Sequence, residues 1–590
     1  MALCLAFQLS FLAEATERNN MAYFKRDRFS GLAPGVSPRL LAEQFAQTAA
    51  NIDFEAGRLT PITDNSTVYT LSSGLRRSIY FYRDTNWLEW TEDGVKAVPG
   101  PIPGDTLDRL YWTGQDFPRM GTAATIVSGA SGYPANSYRL GVPAPANAPS
   151  ITKSGTADET QTPDDVAYVY TFVTAFGEEG PPSPASAVLE RTDTESVTIS
   201  MPSADHPSGN YNFSVADGAL KRIYRSNTGS TNTTFQFVAE VSFAATSYVD
   251  TTASAGLGEV LPSETWIGPP DDNTSLYPDG PLQGLIAVAN GTFAGFTGKR
   301  FCLSEPYLPH AWPIGYRITI EEDIVAIGAV ANGIICLTDG SPYFVTGTEP
   351  SAMTAIRVDL AQACVNINSV VDMGDYLLYA SPDGLCAVTG GDGSVITKGL
   401  ISVKQWNADF NPTTYRAFKH EGTYVAFWDG GGFVYDPRAE ETALSKLVDN
   451  EDIRGGYRNQ KDGEVYLIVG NEIKKYRGGT TNLSLVWKSK QIVMPAPVSM
   501  SWVSVNAQEY PVTVKVWADT VLIADYTISK AGSVYTQTIT TPSGLSNGTL
   551  QEPVMRLPSV VGQVWEVEVS GAVEIDEVCL AQSIDEIRAV

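Results

Sequence analysis

Histidine is scarce in this 590-residue chain, which contains only His206, His310 and His420. The six cysteines form no CxxC pair and no cluster with histidine. Zinc sites and nucleophile–base centres need such partners at short spacings. The sequence therefore predicts no metal site, no cofactor and no catalytic residue. Three cysteines stand in apolar, strand-like runs where we expect buried free thiols, namely Cys302, Cys336 and Cys386.

Positive charge is also in short supply. The 40 lysine and arginine residues face 66 aspartate and glutamate residues, which gives a net charge of −26. A surface of this sign does not attract the phosphate backbone, so sequence-specific binding of nucleic acid is not expected. The same charge would suit a passage through which DNA slides without sticking. That hypothesis requires the acidic residues to line a channel.

Long hydrophobic runs are missing. The first 20 residues, MALCLAFQLSFLAEATERNN, have an apolar start but no basic region, and the run is too short to cross a bilayer. No membrane span is therefore predicted. A second methionine, Met21, opens the next segment, so we interpret residues 1–21 as an N-terminal extension.

Glycine, proline and apolar residues are plentiful. With 52 glycines, 36 prolines and only 18% charged residues, the composition favours short strands joined by tight turns in several domains. Five segments between residues 285 and 476 share a strand–turn–strand pattern. Their second strands begin near Phe293, Ile334, Tyr376, Tyr424 and Val465, between 41 and 48 residues apart. This period is typical of the four-stranded blades of a β-propeller.

The predicted fold class is all-β, and the chain divides into five parts. Residues 22–150 form an N-terminal segment in which 78–98 could supply a further blade or close the ring. Residues 151–262 resemble a fibronectin type III β-sandwich in their tyrosine-rich strand, GEEGPPSP turn and KRIYRS strand. Residues 263–490 are the propeller blades, and 491–590 alternate at period two as a C-terminal β-sandwich.

Helix is expected at one place above all. Residues 37–54 have Ser37 as a plausible N-cap and Pro38 in the first turn. We interpret two acidic runs, residues 321–323 and Glu178 with Glu179, as solvated turns. His206 and His420 lie in polar, turn-like surroundings and are also expected to be exposed.

A sialidase-like enzyme is one alternative. The turns SPDGLCAV (381–388) and LTDGSPYF (337–344) resemble Asp-boxes, but their spacing departs from that motif, and Asp-Gly is in any case a good hairpin turn. Two rival functions stay open, a carbohydrate-recognising propeller that binds a receptor and a glycan depolymerase.

A family resemblance favours a structural role. FCLSEPYLPHAWP from residue 301, the following EEDIVAIGAVANG, the opening at 29–62 and the final VWEVEVSGAVEIDEVCLA resemble tail-nozzle, or tail tubular protein B, proteins of short-tailed bacteriophages. The resemblance implies a homo-oligomeric ring, expected to be a hexamer, that docks to adaptor and portal proteins and to tail fibres. It also implies passage of genomic DNA, assembly in the host cytoplasm and a place in the virion tail.

His310 then has an architectural interpretation. Prolines flank it, and Trp312 supplies a large apolar anchor. We expect this stretch to fix one blade edge against its neighbour. The structural or interface candidates are Pro309, His310, Trp312 and Pro313.

Overall fold

The computed structural model describes residues 23–589 apart from 55–56, 130–131, 204–205, 208, 229–232, 429, 440–442, 449–450 and 530–553. The extension at 1–21, with Cys4, lies outside the described residues. Within them the chain forms 46 strands and three short helices, α1 (Ala123–Ile126), α2 (Val403–Asp409) and α3 (Ile584–Ala589). Single 3₁₀ turns cover Ser254–Gly256, Ala289–Gly291, Ile314–Tyr316, Pro350–Ala352, Ile367–Ser369 and Pro412–Thr414. The protein is all-β, as predicted.

The N-terminal segment supplies strands to sheets formed by distant parts of the chain. Its strands are β1 (Tyr23–Arg26), β2 (Ala46–Ala50), β3 (Ile52–Asp53), β4 (Thr60–Pro61) and β5 (Ser66–Thr70). Only β3 and β4 pair with each other. The partners of the other three come from the second half of the chain.

Two propeller blades follow before the insertion. Blade 1 consists of β6 (Ser78–Tyr82) and β7 (Asn86–Trp90), with a further bridge between Leu88 and Tyr133. Blade 2 is a four-stranded antiparallel sheet of β8 (Lys96–Pro99), β9 (Leu110–Thr113), β10 (Arg119–Gly121) and β11 (Tyr138–Arg139). The region in which one blade was expected therefore contains two.

The inserted region folds as a sandwich of two three-stranded sheets, β12–β16–β19 and β14–β17–β18, with a short β13–β15 ladder. The strands are β12 (Ser150–Ser154), β13 (Asp164–Val166), β14 (Tyr168–Val173), β15 (Leu189–Arg191), β16 (Ser196–Ser200), β17 (Leu220–Thr228), β18 (Thr233–Ser242) and β19 (Ser247–Asp250). Aromatic and β-branched residues of the two inner faces form its core, among them Tyr168, Phe172 and Ile199. Its likeness to fibronectin type III stays a prediction.

Two arginines are wholly buried inside this sandwich. Arg191 Nη1 lies 3.2 Å and Arg225 Nη1 2.7 Å from the same oxygen of Asp250, which also accepts a 2.8 Å hydrogen bond from Tyr168 OH. Both guanidinium groups also donate to the carbonyl of Thr252. The shared carboxylate joins β14, β15, β17 and β19 at one buried point.

Five more blades follow the sandwich. Blade 3 comprises β20 (Gln283–Ala287), β21 (Phe293–Thr297), β22 (Arg300–Leu303) and β23 (Ile318–Thr319). Blade 4 comprises β24 (Ile324–Val330), β25 (Gly333–Thr338), β26 (Tyr343–Thr346) and β27 (Thr354–Arg357). Blade 5 comprises β28 (Val371–Asp372), β29 (Leu377–Ala380), β30 (Leu385–Val388) and β31 (Gly393–Val395). Blade 6 comprises β32 (Arg416–His420), β33 (Thr423–Trp428), β34 (Gly431–Asp436) and β35 (Ala443–Leu447). Blade 7 begins with β36 (Ile453–Arg458), β37 (Val465–Val469) and β38 (Glu472–Lys475). The predicted second strands are β21, β25, β29, β33 and β37, each within one residue of its expected start.

The seven blades recognised in the described residues close into one ring. The first strands of blades 2 to 7 lie side by side in order, and β6 of blade 1 lies against β36 of blade 7. Blade 7 lacks a fourth strand of its own, and β5 takes that place by antiparallel pairing with β38, Thr70 opposite Glu472. Apolar clusters join blade 1 to both of its neighbours. The N-terminal segment thus closes the propeller.

The C-terminal sandwich begins slightly earlier than predicted and incorporates N-terminal strands. Its strands are β39 (Leu485–Ser489), β40 (Ile492–Val498), β41 (Trp502–Ala507), β42 (Val512–Ala518), β43 (Val521–Ile528), β44 (Val554–Arg556), β45 (Gly562–Gly571) and β46 (Ile575–Ala581). One sheet has the order β1–β46–β41–β44. The other continues from blade 6 through β35, β2, β39, β45 and β42 to β43, with β40 also paired to β45. As the alternation predicted, Val512, Val514 and Val516 all face the core.

A single apolar core extends across this junction. Phe29 packs edge-on against Trp487, with ring centroids 4.9 Å apart, and the Trp487 indole donates to the Ser30 carbonyl. The same cluster includes Trp406 and Phe433 beside blade 6. A side chain at Gly31 would collide with the backbone of Leu444, so the segment runs directly against β35.

The helix predicted at 37–54 is wrong. Residues 46–50 form β2 and pair with strands on both sides, in parallel with β35 and antiparallel with β39. Ala46, Ala49 and Ala50 are buried there. Their small side chains suit a helix in isolation, but the hydrogen-bonded ladder with β39, the bridge to β35 and burial outweigh that local propensity.

We expect Trp487→Ala to destabilise the protein by about 3–5 kcal/mol, because the buried indole contacts the N-terminal segment and the sandwich together. Calorimetry should show blade 6 and the sandwich unfolding at a lower temperature in one transition. Val521→Ala, which truncates an exposed side chain in the same sandwich, serves as the control. Loss of the sandwich alone, with blade 6 unaffected, would contradict the shared core.

Candidate functional site

The residues singled out around His310 lie in the loop between β22 and β23 of blade 3. Pro309, His310, Trp312 and Pro313 are all buried within the chain. The Trp312 indole donates to the Pro309 carbonyl at 2.8 Å, and its backbone N–H donates to the Ile267 carbonyl at 2.7 Å. The first bond closes the loop on itself, and the second fixes it against the chain returning from the inserted sandwich.

Trp312 fills the seam between blades 2 and 3. It packs in one cluster with Val98 and Tyr111 of blade 2 and with Phe293 and Cys302 of blade 3. The structure therefore places the predicted anchor between neighbouring blades of one chain. As these side chains are enclosed, they present no surface to a second subunit.

His310 faces the base of the inserted sandwich. Burial lowers the pKa of its imidazole, an effect that the nearby carboxylate of Glu178 and a hydrogen bond with the Glu179 backbone oppose. Its Nε2 atom has no hydrogen-bond partner within the described chain. His310 is therefore a buried, neutral residue at the point where three modules meet.

The solvated turn expected at Glu178 and Glu179 is wrong, because both carboxylates are buried. Glu178 lies 3.3 Å from Arg109 of the propeller, which is also 2.8 Å from Asp105. Glu179 faces the sandwich and lies 2.6 Å from Arg222. Adjacent side chains on an extended segment point to opposite faces, and here each face meets its own arginine.

A cleft of about 660 Å³ lies where the N-terminal segment crosses blades 6 and 7. Its size falls within the usual range for small-molecule sites. Arg477 lies 2.9 Å from Asp53 and 3.7 Å from Glu421, and its backbone carbonyl accepts a 2.7 Å hydrogen bond from Thr63. The lining comes from residues 27–62, 420–445 and 476–477, which are far apart in sequence, so no local motif signals it.

His420 belongs to this cleft and is not exposed, contrary to the sequence prediction. The imidazole packs edge-on against Tyr476, and its Nδ1 atom has no partner in the described structure. Burial lowers its pKa, and the neighbouring Glu421 carboxylate opposes that shift. The lining hydroxyls of Thr423 and Ser445 donate to backbone carbonyls, so neither is paired with the imidazole as a nucleophile. The arrangement is suited to binding or to holding the segments together.

The other sequence candidates occupy ordinary structural positions. His206 is half-buried and lies over Phe243, with ring centroids 4.2 Å apart. The two Asp-box-like segments form turns between second and third strands of blades 4 and 5. Cys302, Cys336 and Cys386 are buried free thiols, as predicted. Residues 321 and 323 are exposed, as expected for that acidic run.

The described residues contain no group of three or more His, Cys, Asp and Glu side chains placed to hold a metal ion. None of their helices combines the length and the apolar character needed to cross a membrane.

One mouth of the propeller axis is crossed by the loop between blades 1 and 2. Asp93 in this loop accepts a 3.0 Å hydrogen bond from Asn368, next to blade 5, and lies 3.4 Å from Arg416 of blade 6. Nearby, burial lowers the pKa of Lys96 on β8, and the Asp93 charge opposes that effect. The loop thus ties opposite sides of the ring together across its axis.

No family model and no curated protein matches the chain. Among solved structures it is similar to YCF48 from Cyanidioschyzon merolae, with 12% identity, 48% of this chain and 76% of that chain covered, and a TM-score of 0.20. It is also similar to BBS1N in complex with ARL6DN, with 10% identity, 71% and 98% coverage, and a TM-score of 0.27. These scores are low, so the propeller assignment rests on the strand pairing itself.

We expect stability to fall as the pH drops below about 6.5, the ordinary histidine value. The pKa values of His310 and His420 are lowered in the folded state, so the unfolded chain binds more protons as acid is added. The slope is at most about 1.4 kcal/mol per pH unit for each histidine. Between pH 7 and 5, the free energy of unfolding measured with denaturant should change less with pH in the double variant His310→Gln/His420→Gln than in the unmodified protein. An unchanged dependence on pH in the double variant would refute this assignment.

Trp312→Ala should cost about 3–5 kcal/mol, because it empties the seam between blades 2 and 3. The matched control is Ile314→Ala, two residues away, whose side chain is 66% exposed and whose loss should change stability by less than about 0.5 kcal/mol. Thermal unfolding of both variants measures the difference. Similar melting temperatures would show that the seam does not depend on this indole.

Proposed function

We propose that this chain is a structural subunit of the short tail of a bacteriophage virion, of the tail-nozzle type. In that role copies of the chain form a ring, expected to be a hexamer, below the adaptor and portal proteins. The ring retains the genome, lets it pass at ejection and provides docking surfaces for tail fibres. The subunit would be assembled in the host cytoplasm, and the role requires no bond chemistry.

The observation that carries the proposal is the insertion of N-terminal strands into three sheets. β1 completes a sheet of the C-terminal sandwich, β2 joins that sandwich to blade 6, and β5 completes blade 7. A subunit that retains a genome must resist separation of its modules. Strand pairing across module boundaries supports that role, because many backbone hydrogen bonds must break together before the modules part.

The crossed propeller axis bears on where DNA would pass. Because Asp93 is bonded to groups beside blades 5 and 6, the described structure offers no open route for a duplex along the axis at that mouth. In a nozzle the passage would therefore run between subunits, around the symmetry axis of the ring. The net charge of −26 suits such a passage if acidic side chains face it.

The mass of the purified protein in solution tests the proposal, first alone and then with the candidate adaptor or portal complex. A closed ring of about six copies is expected, either spontaneously or when the adaptor supplies a template. Electron microscopy of the assembly should then show a pore between subunits.

Two outcomes would overturn the proposal. One is a protein that stays monomeric at all concentrations and does not bind the adaptor. The other is a monomer that degrades host-surface glycan, which would place the chain among depolymerase tail proteins. The buffer should be kept near neutral pH, so that protonation of His310 and His420 does not weaken the subunit itself.

A further inference from the structure

A second cleft, of about 360 Å³, lies where blade 1, blade 2 and the inserted sandwich meet. Blade 1 supplies Glu89 and Trp90, blade 2 supplies Trp112 and Arg119, and the sandwich region supplies Asn210. Small-molecule sites concentrate at such boundaries between modules, and a volume near the lower end of their range suits a small ligand.

Two tryptophans give this cleft a fixed floor. Trp90 and Trp112 are only 4% and 1% exposed, with ring centroids 6.1 Å apart. The Trp112 indole donates to the Gln115 side-chain oxygen at 3.0 Å, and within the described part of the chain the amide nitrogen of Gln115 has no acceptor. The Trp90 indole N–H has no acceptor within the described residues.

Most of the charged groups around the cleft are already paired. Arg76 lies 2.9 Å from Glu89, and Arg119 lies 2.7 Å from Asp116. Glu92 is different, because among the described residues its carboxylate makes neither an ion pair nor a hydrogen bond. The cleft therefore contains one unpaired negative charge, that of Glu92, whereas both Arg76 and Arg119 are paired.

Amide groups at the rim provide further acceptors. Asn136 donates its side-chain N–H to Ser128 at 3.2 Å, and Asn210 donates to the Ser137 carbonyl. Neither side-chain oxygen has a partner among the residues that the structure describes. Together with Gln115 and Glu92, they place hydrogen-bond donors and acceptors above the two nearly buried tryptophans. A ligand that fits must donate and accept at closely spaced positions and carry no negative charge.

We propose that this cleft binds a neutral monosaccharide or disaccharide. Sugar hydroxyls both donate and accept, which matches the mixture of free amide groups and the Glu92 carboxylate. Carboxylated sugars should bind more weakly because their negative charge would meet the carboxylate of Glu92. This binding function goes beyond the structural role and does not depend on whether the subunits form a ring.

Saturation-transfer NMR and calorimetry on the full chain provide the test. The neutral probes are glucose, galactose, mannose, N-acetylglucosamine, maltose and lactose, and the acidic probes are glucuronic acid and N-acetylneuraminic acid. At least one neutral probe should bind with a Kd below about 10 mM, and the acidic probes about tenfold more weakly.

Three variants identify the site. Gln115→Ala and Asn136→Ala should each weaken the binding of the neutral probe several-fold. Glu92→Gln should reduce the difference in affinity between neutral and acidic sugars. Asn332→Ala, which removes an exposed amide on blade 4, is the matched control and should bind as the unmodified protein does. No binding of any neutral probe below about 10 mM, unchanged binding by both amide variants, or preference for an acidic sugar would each overturn the proposal.

Discussion

The architecture depends on strand pairing between the beginning of the chain and its second half. Without β5, blade 7 exposes the edge of β38, and without β2 the sheet that joins blade 6 to the C-terminal sandwich is interrupted. These pairings are made by residues hundreds of positions apart. Because contacts of long sequence separation form only after their loops have closed, the propeller and the sandwich should reach their final packing together, late in folding.

Different physical interactions hold the modules at the other boundaries. Trp312 joins blades 2 and 3 by apolar contact, whereas Glu178 joins the inserted sandwich to the propeller through a buried ion pair with Arg109. Apolar contact supplies stability with little directional preference. Buried ion pairs contribute less net stability, because desolvation opposes the attraction, but each tolerates only a narrow range of orientations. The combination suits an insertion that must sit at one angle.

The sequence predicted what local periodicity controls and failed where distant segments meet. The blade period located five second strands because each blade repeats one pattern of strand and turn. It did not reveal β5 as the last strand of blade 7, or β2 as a strand, because their partners are remote. His420 and Glu178 were expected in solvent for the same reason, since the groups that cover them come from other modules. The sequence around each of these two residues does not indicate that other modules bury it.

The same reasoning explains why the clefts lie at module boundaries. Inside a propeller, the faces of each blade are consumed by packing against the neighbouring blades, so little of their surface remains for a ligand. The inserted sandwich and the N-terminal segment are not blades, and their edges meet the ring imperfectly. Polar side chains such as Asn210 and Asp53 therefore face space that blade packing does not fill. A chain that adds modules to a closed ring gains sites at the seams while the ring itself stays rigid.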